Sequence, residues 1–250
     1  MGNEQELIQK RLLDLSRQAN RKGIVIYSGF LNLNEQNLLK SLDSQLETVY
    51  ELSGGYDFAE RRMAAFLPSD LGYEWDYPYA CLKITPAYPK FADKLTHRDV
   101  LGAVMNQGIE RAKIGDILCK EDTYYLFCVE QLQDYFMDSL EKIRHTMVKV
   151  ERIDMLTEEI SPEFIEKSGI ITSNRLDSVV ACMAGCSRSE ASRLISGGKV
   201  FVTGKEVLHN TYVCKEGDIL SIRSHGKYIF DACGGETKKG RLKIRYRVYS

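Results

Sequence analysis

Apolar side chains at Leu7, Ile8, Leu12 and Leu15 recur at helical spacing and predict an amphipathic helix over residues 4–19, closed by Asn20 ahead of Gly23. Residues 24–27, Ile-Val-Ile-Tyr, read as a short strand or an extended loop. Asn34 is then placed to cap a second helix with Leu38, Leu39, Leu42 and Leu46 on its buried stripe. A polar, glycine-bearing stretch leads to Phe66-Leu67-Pro68, where a first, α-rich unit over residues 1–74 finishes.

The pattern changes from Tyr79 onward. Residues 80–84 are strand-like, and Thr96-His97-Arg98-Asp99 announces a helix, with Thr96 accepting from the Asp99 amide while Asp99 reaches back; Leu101, Val104 and Met105 form its apolar stripe. Residues 114–119 and 124–129 read as a hairpin. A helix through Leu132, Phe136, Leu140 and Ile143 and a strand over 148–153 complete the order β-α-β-β-α-β, so residues 75–155 are expected to form a ferredoxin-like domain, the frame also used by RNA-recognition folds. Tyr124, Tyr125 and Phe127 could stack bases in such a frame. The neighbouring sequence lacks the RNP pattern, so they are read as core. Small and polar residues over 156–173 predict a linker.

In the last segment, residues 174–250, Leu176, Val179, Val180 and Met183 stand at i, i+3, i+4 and i+7, leaving Arg175, Asp177 and Ser178 on the outer side. Gly185 ends this helix. Ser187-Arg188-Ser189-Glu190 starts the next as a capping box, which buries Ala191, Leu194 and Ile195 before Gly197-Gly198. Residues 199–202 and 219–223 alternate as strands around the turn at Thr203-Gly204-Lys205. At the end of the chain Arg241, Lys243, Arg245 and Arg247 share one strand parity, while Leu242, Ile244, Tyr246 and Val248 share the other. The fold class is thus α+β in three parts.

Composition sharpens this last segment. The 250 residues carry a net charge of −1, with 44% hydrophobic and 28% charged residues, as expected of a soluble globular chain. Yet residues 174–250 hold 14 Lys/Arg against 7 Asp/Glu, net +7, and the preceding 173 residues carry net −8. Such asymmetry points the basic segment at a polyanion. The start of the second helix in that segment offers free amides, the positive helix end, the Ser187 and Ser189 hydroxyls and the charges of Arg188 and Arg193, which together suit phosphate. Edge strands do carry Lys and Arg against aggregation, but four on one side exceed that need.

Other chemistries find less support. Seven cysteines are scattered, several in apolar runs, and Cys182-x-x-x-Cys186 has no second pair at ligand spacing; no metal, cofactor or catalytic residue is expected. His97, His145, His209 and His225 stand apart from any triad or zinc pattern. No apolar run approaches the roughly 18 residues of a membrane span, and the first residues lack a leader pattern, which predicts a cytoplasmic protein without membrane contact.

The residues just quoted resemble the S4 RNA-binding domain: Arg175-Leu176-Asp177, Ser187-Arg188-Ser189-Glu190-Ala191, Leu194-Ile195, the run from Gly198 to Gly204, and Gly217-Asp218. Thr203 stands where that family more often has Asn. The resemblance implies that Arg175, Ser187, Arg188, Ser189, Arg193, Lys199 and Lys205 line an RNA-facing surface, to which the basic strand adds Arg241, Lys243, Arg245 and Arg247. Gly54-Gly55-Tyr56, Ala59-Glu60-Arg61, the run from Leu95 to Gly102, Gly108-Ile109-Glu110-Arg111 and the run from Lys113 to Ile117 are similar to the YlmH family of bacterial S4-domain proteins. That likeness implies a monomeric, non-enzymatic factor that binds ribosomal RNA and tRNA. It would act on the large ribosomal subunit with peptidyl-tRNA and other quality-control factors when nascent chains stall, with a link to cell division.

The rival reading is an RNA-modifying enzyme, since S4 modules are appended to pseudouridine synthases and Arg175-Leu176-Asp177 imitates the surroundings of their catalytic aspartate. Too few residues follow Gly185 to build a synthase domain. A methyltransferase would need a glycine-rich strand-to-helix turn, and Gly54-Gly55-Tyr56 lacks the α/β unit around it.

Overall fold

The computed structural model describes residues 2–153, 162, 164–238 and 240–249. The chain forms two compact units, Met1–Pro162 and Glu163–Ser250. The first begins with α1 (Gly2–Lys22), β1 (Ile26–Leu31), α2 (Leu33–Ser41), β2 (Val49–Ser53) and β3 (Arg62–Leu67), the strands pairing antiparallel in the order β1-β3-β2. The cap of α2 is Asn32, two residues before the expected Asn34. Asn32 precedes the first apolar helical residue and has Glu at the third position, so its Oδ1 accepts from the Glu35 amide at 3.0 Å and its own amide donates to Glu35 Oε2 at 2.6 Å. The strands β2 and β3 were not expected. Met63, Ala64, Ala65 and Phe66 in β3 are all buried, so the alternation that marks a strand with one wet face is missing.

The chain continues through β4 (Tyr79–Pro86), α3 (His97–Met105), β5 (Ile114–Lys120), β6 (Thr123–Val129), α4 (Gln133–Ser139), β7 (Lys142–Ile143) and β8 (Thr146–Ile153). All neighbours pair antiparallel in the order β5-β6-β4-β8-β7, which is the ferredoxin-like sheet with β7 added at one edge; Ile143, expected on the helix, lies in that added strand. Thr96 and Asp99 form the capping box of α3, with both bonds present.

Both faces of this sheet are covered. Leu82, Ile84, Tyr124, Leu126 and Cys128 pack with Val100 and Val104 of α3 and Phe136 of α4, while Tyr79, Cys81, Tyr125 and Phe127 pack on Phe30 of β1 and Met63 of β3. The face that an RNA-recognition fold would offer to bases is therefore filled by the N-terminal elements, and residues 1–74 and 75–155 share one unit. The seam is also polar. Asp116 accepts from the Tyr56 hydroxyl at 2.8 Å and from the amides of Glu60 at 2.7 Å and Arg61 at 3.2 Å. The Arg61 guanidinium donates to the carbonyls of Ile114, Phe30 and Arg111, and Arg111 to those of Ile114 and Gly115. Gly54 is needed here, since a Cβ would overlap Ala59 and lie 2.6 Å from the Arg61 carbonyl.

The second unit consists of β9 (Phe164–Ile171), α5 (Leu176–Ala184), α6 (Arg188–Ser196), β10 (Val200–Val202), β11 (Lys205–Glu206), β12 (Ile219–Ile222), β13 (Gly226–Glu236) and β14 (Leu242–Tyr249). Its sheet runs β11-β10-β12-β13-β14-β9, antiparallel throughout. The linker expected over 156–173 falls partly outside the described residues, and most of its described part is the edge strand β9, paired along its whole length with β14. Its polar Glu166-Lys167-Ser168 concealed it. One face of the sheet supplies Val200, Val202, Leu220, Ile222, Tyr228, Phe230, Ile244 and Tyr246 to a core completed by Leu176, Val179, Val180, Met183, Ala191 and Ile195 of the two helices. Helix α5 lies so close to β9 that a Cβ on Gly169 would collide with the Cys182 sulfur. Among the described residues, the opposite face of the sheet carries no helix of this unit.

Candidate nucleic-acid interface

The helix side is organised by Asp177, in the first turn of α5. The sequence suggested an outward residue, but its side chain is only 8% exposed. Arg188 at the start of α6 donates to its Oδ2 at 2.6 Å, and Arg175, just before α5, donates from Nε to Oδ1 at 3.3 Å. Ser178 is likewise buried, its hydroxyl 3.2 Å from that of Thr172. Burial pushes the Asp177 carboxyl up, but the hydrogen bonds and charges of Arg188 and Arg175 outweigh it and hold the group below its ordinary range. Arg175 itself stays 45% exposed and Arg188 51%. One buried anion thus fixes two half-exposed guanidiniums, Arg188 also reaching the Thr172 hydroxyl at 3.5 Å, an arrangement suited to phosphate oxygens.

At the head of α6, Ser187 Oγ accepts from the Glu190 amide at 3.2 Å and sits 3.0 Å from Ser189 Oγ. Glu190 does not return the bond, so only half of the expected capping box forms and its exposed carboxylate stays in solvent. Arg193 is also exposed. It stands in the last turn of α6, five residues beyond Arg188, and at about 100° per residue projects roughly 140° away around the helix axis, so the two do not share a face.

The structure separates the remaining expected residues from this cluster. In β14 the exposed Lys243 and Arg245 alternate with the buried Ile244 and Tyr246, so the basic row faces away from α5 and α6. Arg247, of the same parity, makes a two-oxygen contact with Asp231, with distances of 2.6–3.1 Å, and lies 4.9 Å from the centroid of the Phe164 ring. Arg247 is therefore a fixture of the sheet more than a free donor. Lys205 starts the edge strand β11, and Arg241 sits in the turn before β14, its amide donating to Thr237 Oγ1 at 3.1 Å. Thr203 takes a left-handed φ of +46° in the β10–β11 turn, a conformation in which Asn is less strained than a β-branched residue. Among the described residues no group of three or more His, Cys, Asp or Glu could hold a metal, and no helix is long and apolar enough to cross a membrane.

This helix pair over a curled sheet, with its arginines held at the helix junction, defines an S4-domain RNA-binding protein. Comparison with known proteins agrees. The S4 domain model matches residues 174–220, and a model described as "Putative RNA-binding domain in YlmH" matches residues 73–157. The chain is 32% identical over 222 residues to "Ribosome-associated protein quality control protein P2" of Bacillus subtilis (strain 168), covering 87% of this chain and 84% of that relative. The solved structure of "Cell division protein ylmH from Streptococcus pneumoniae" superposes with a TM-score of 0.51 at 24% identity, over 61% of this chain and 93% of the other, which supports the fold. The chain belongs to the YlmH family.

Proposed function

We propose that this protein is a non-enzymatic RNA-binding factor of the ribosome. In this reading it engages ribosomal RNA of the large subunit and a peptidyl-tRNA, as a monomer alongside other factors, in the quality control of stalled nascent chains, with an associated role in cell division. The observation that carries the RNA contact is the Asp177 clamp, which presents Arg175 and Arg188 half-exposed beside the head of α6 in an S4 domain. The ribosomal setting is supported by the 32% identity to the Bacillus subtilis relative and by that relative's name. The non-enzymatic reading is supported by Asp177 itself, because a catalytic carboxylate must reach its substrate and this one lies beneath two arginines.

Sedimentation of a cell lysate tests the proposal. The protein should travel with the large subunit and leave it as salt is raised, and crosslinking should join the second unit to RNA. Migration with neither the subunit nor RNA at low salt would refute it. A synthase would instead turn over uridine in ribosomal RNA and lose that turnover, with binding retained, in Asp177→Ala; the proposal expects no turnover in either form.

A further inference from the structure

The face of the six-stranded sheet that points away from α5 and α6 carries a row of side chains for which the S4 reading has no use. The pairing register aligns Phe201 of β10 with Ser221 of β12, Ser221 with Lys227 of β13, and Tyr249 of β14 with Phe164 of β9. Lys227 bridges the middle, its ammonium 5.3 Å from the centroid of the Tyr249 ring. Each ring has a partner that aligns it. The Arg223 guanidinium lies 5.1 Å from the centroid of Phe201, and Phe164 meets Tyr249 edge-on at 5.0 Å. Down β14 from Tyr249, on the same face, come Arg247, Arg245 and Lys243. Acidic groups on this face are Glu206, Glu166 and Asp231, the last already engaged by Arg247.

We infer that this face is a second RNA surface, one that takes unpaired nucleotides by stacking their bases on Tyr249 and on the Phe201–Arg223 pair while Lys227, Arg245 and Lys243 follow the backbone. The inference rests on the RNA-binding reading above and adds a second face and a different RNA class to it. Aromatic rings on an open sheet are useful to a nucleic acid only where base faces are free, which a duplex does not allow. At about 4.8 Å per strand, Phe201 and Tyr249 are three strands or roughly 14 Å apart, too far for one base to span, so they serve different bases of one strand. The cations between and beside the rings match the charge of the connecting phosphates. The helix side has the opposite character, with half-exposed arginines and hydroxyls suited to the backbone of a folded RNA.

The test measures binding of the full-length protein to a labelled oligouridylate and to a labelled RNA hairpin of equal length. Tyr249→Ala and Lys227→Glu should each weaken the oligouridylate by about fivefold or more, the lower end of the loss of one stacked base, and leave the hairpin unchanged. Tyr249→Phe should restore most of the loss, since the ring is what stacks. Arg193→Ala should weaken the hairpin more than the oligouridylate. If the oligouridylate responds to Arg193→Ala and ignores the Tyr249 and Lys227 variants, there is a single RNA face and the inference falls while the RNA-binding reading stands. Equal losses in Tyr249→Phe and Tyr249→Ala overturn it as well. Failure of the unaltered protein to bind either RNA removes both.

Discussion

Both units of this protein set arginines around an aspartate, and they use the same groups to opposite ends. In the first unit Asp116 takes amide and phenol donors across the seam between the N-terminal elements and the ferredoxin-like sheet, while Arg61 and Arg111 direct their guanidiniums at backbone carbonyls. Burial pushes Asp116 up and pushes both arginines down, Arg111 to about 10. In the second unit Asp177 is held down by Arg188 and Arg175, which remain about half exposed. The difference lies in what is left over. Arginines whose donors end on backbone fix a fold, whereas arginines anchored on a buried carboxylate and left half exposed remain able to meet a ligand.

The largest expected effect follows from the first network. Asp116→Ala should lower the stability of the first unit by about 3 kcal/mol, because amides and a phenol lose their acceptor in a desolvated seam; thermal unfolding reads the loss, and RNA affinity measured below the transition should be unchanged. Coupled loss of RNA affinity would blur the contrast. The next effect is smaller and its sign is decisive. Asp177→Asn removes a negative charge from a basic surface, so charge alone predicts tighter RNA binding, whereas loss of the clamp predicts binding weaker by about threefold, on the order of 0.6 kcal/mol. Tighter binding in a titration would show that Asp177 does not position the arginines.

The smallest effect concerns pH, where the two aspartates should move oppositely. The lowered Asp177 gives stability that is complete above its ordinary value of 3.8 and is lost as pH falls through its folded value, so the advantage of the unaltered protein over Asp177→Asn should close in acid. The raised Asp116 costs stability above its folded value, and that cost is relieved as pH falls toward 3.8, so the unaltered protein should gain on Asp116→Asn over the same change. Melting temperatures of the three proteins from neutral pH to about 3 give both trends.

Much of the fold was legible because its helices are amphipathic and punctuated. The box at Thr96-Asp99 and the stripe from Leu176 to Met183 each predict an element that the structure contains. Strands without a dry and a wet face were not legible. Strand β3 is buried on both sides, β9 is a polar edge, and β13 ends in Gly234-Gly235-Glu236, so none shows a clean period of two. The basic residues were identifiable by type and position, but not their partners. Arg188 finds Asp177 eleven residues back, Arg247 finds Asp231 sixteen residues back, and Lys227 lies over Tyr249 across a strand pairing that no local pattern announces. Those partners decide which cations are presented and which are held.

The salt dependence of RNA binding tests the central claim most directly. Plotting log affinity for a structured RNA against log salt for the unaltered protein and for Arg188→Ala should give two straight lines, the variant weaker and shallower by about one unit of slope, the mark of one lost phosphate contact. Parallel lines, or an affinity that does not respond to salt, would contradict the account of Arg188 as a phosphate-contacting arginine presented by Asp177.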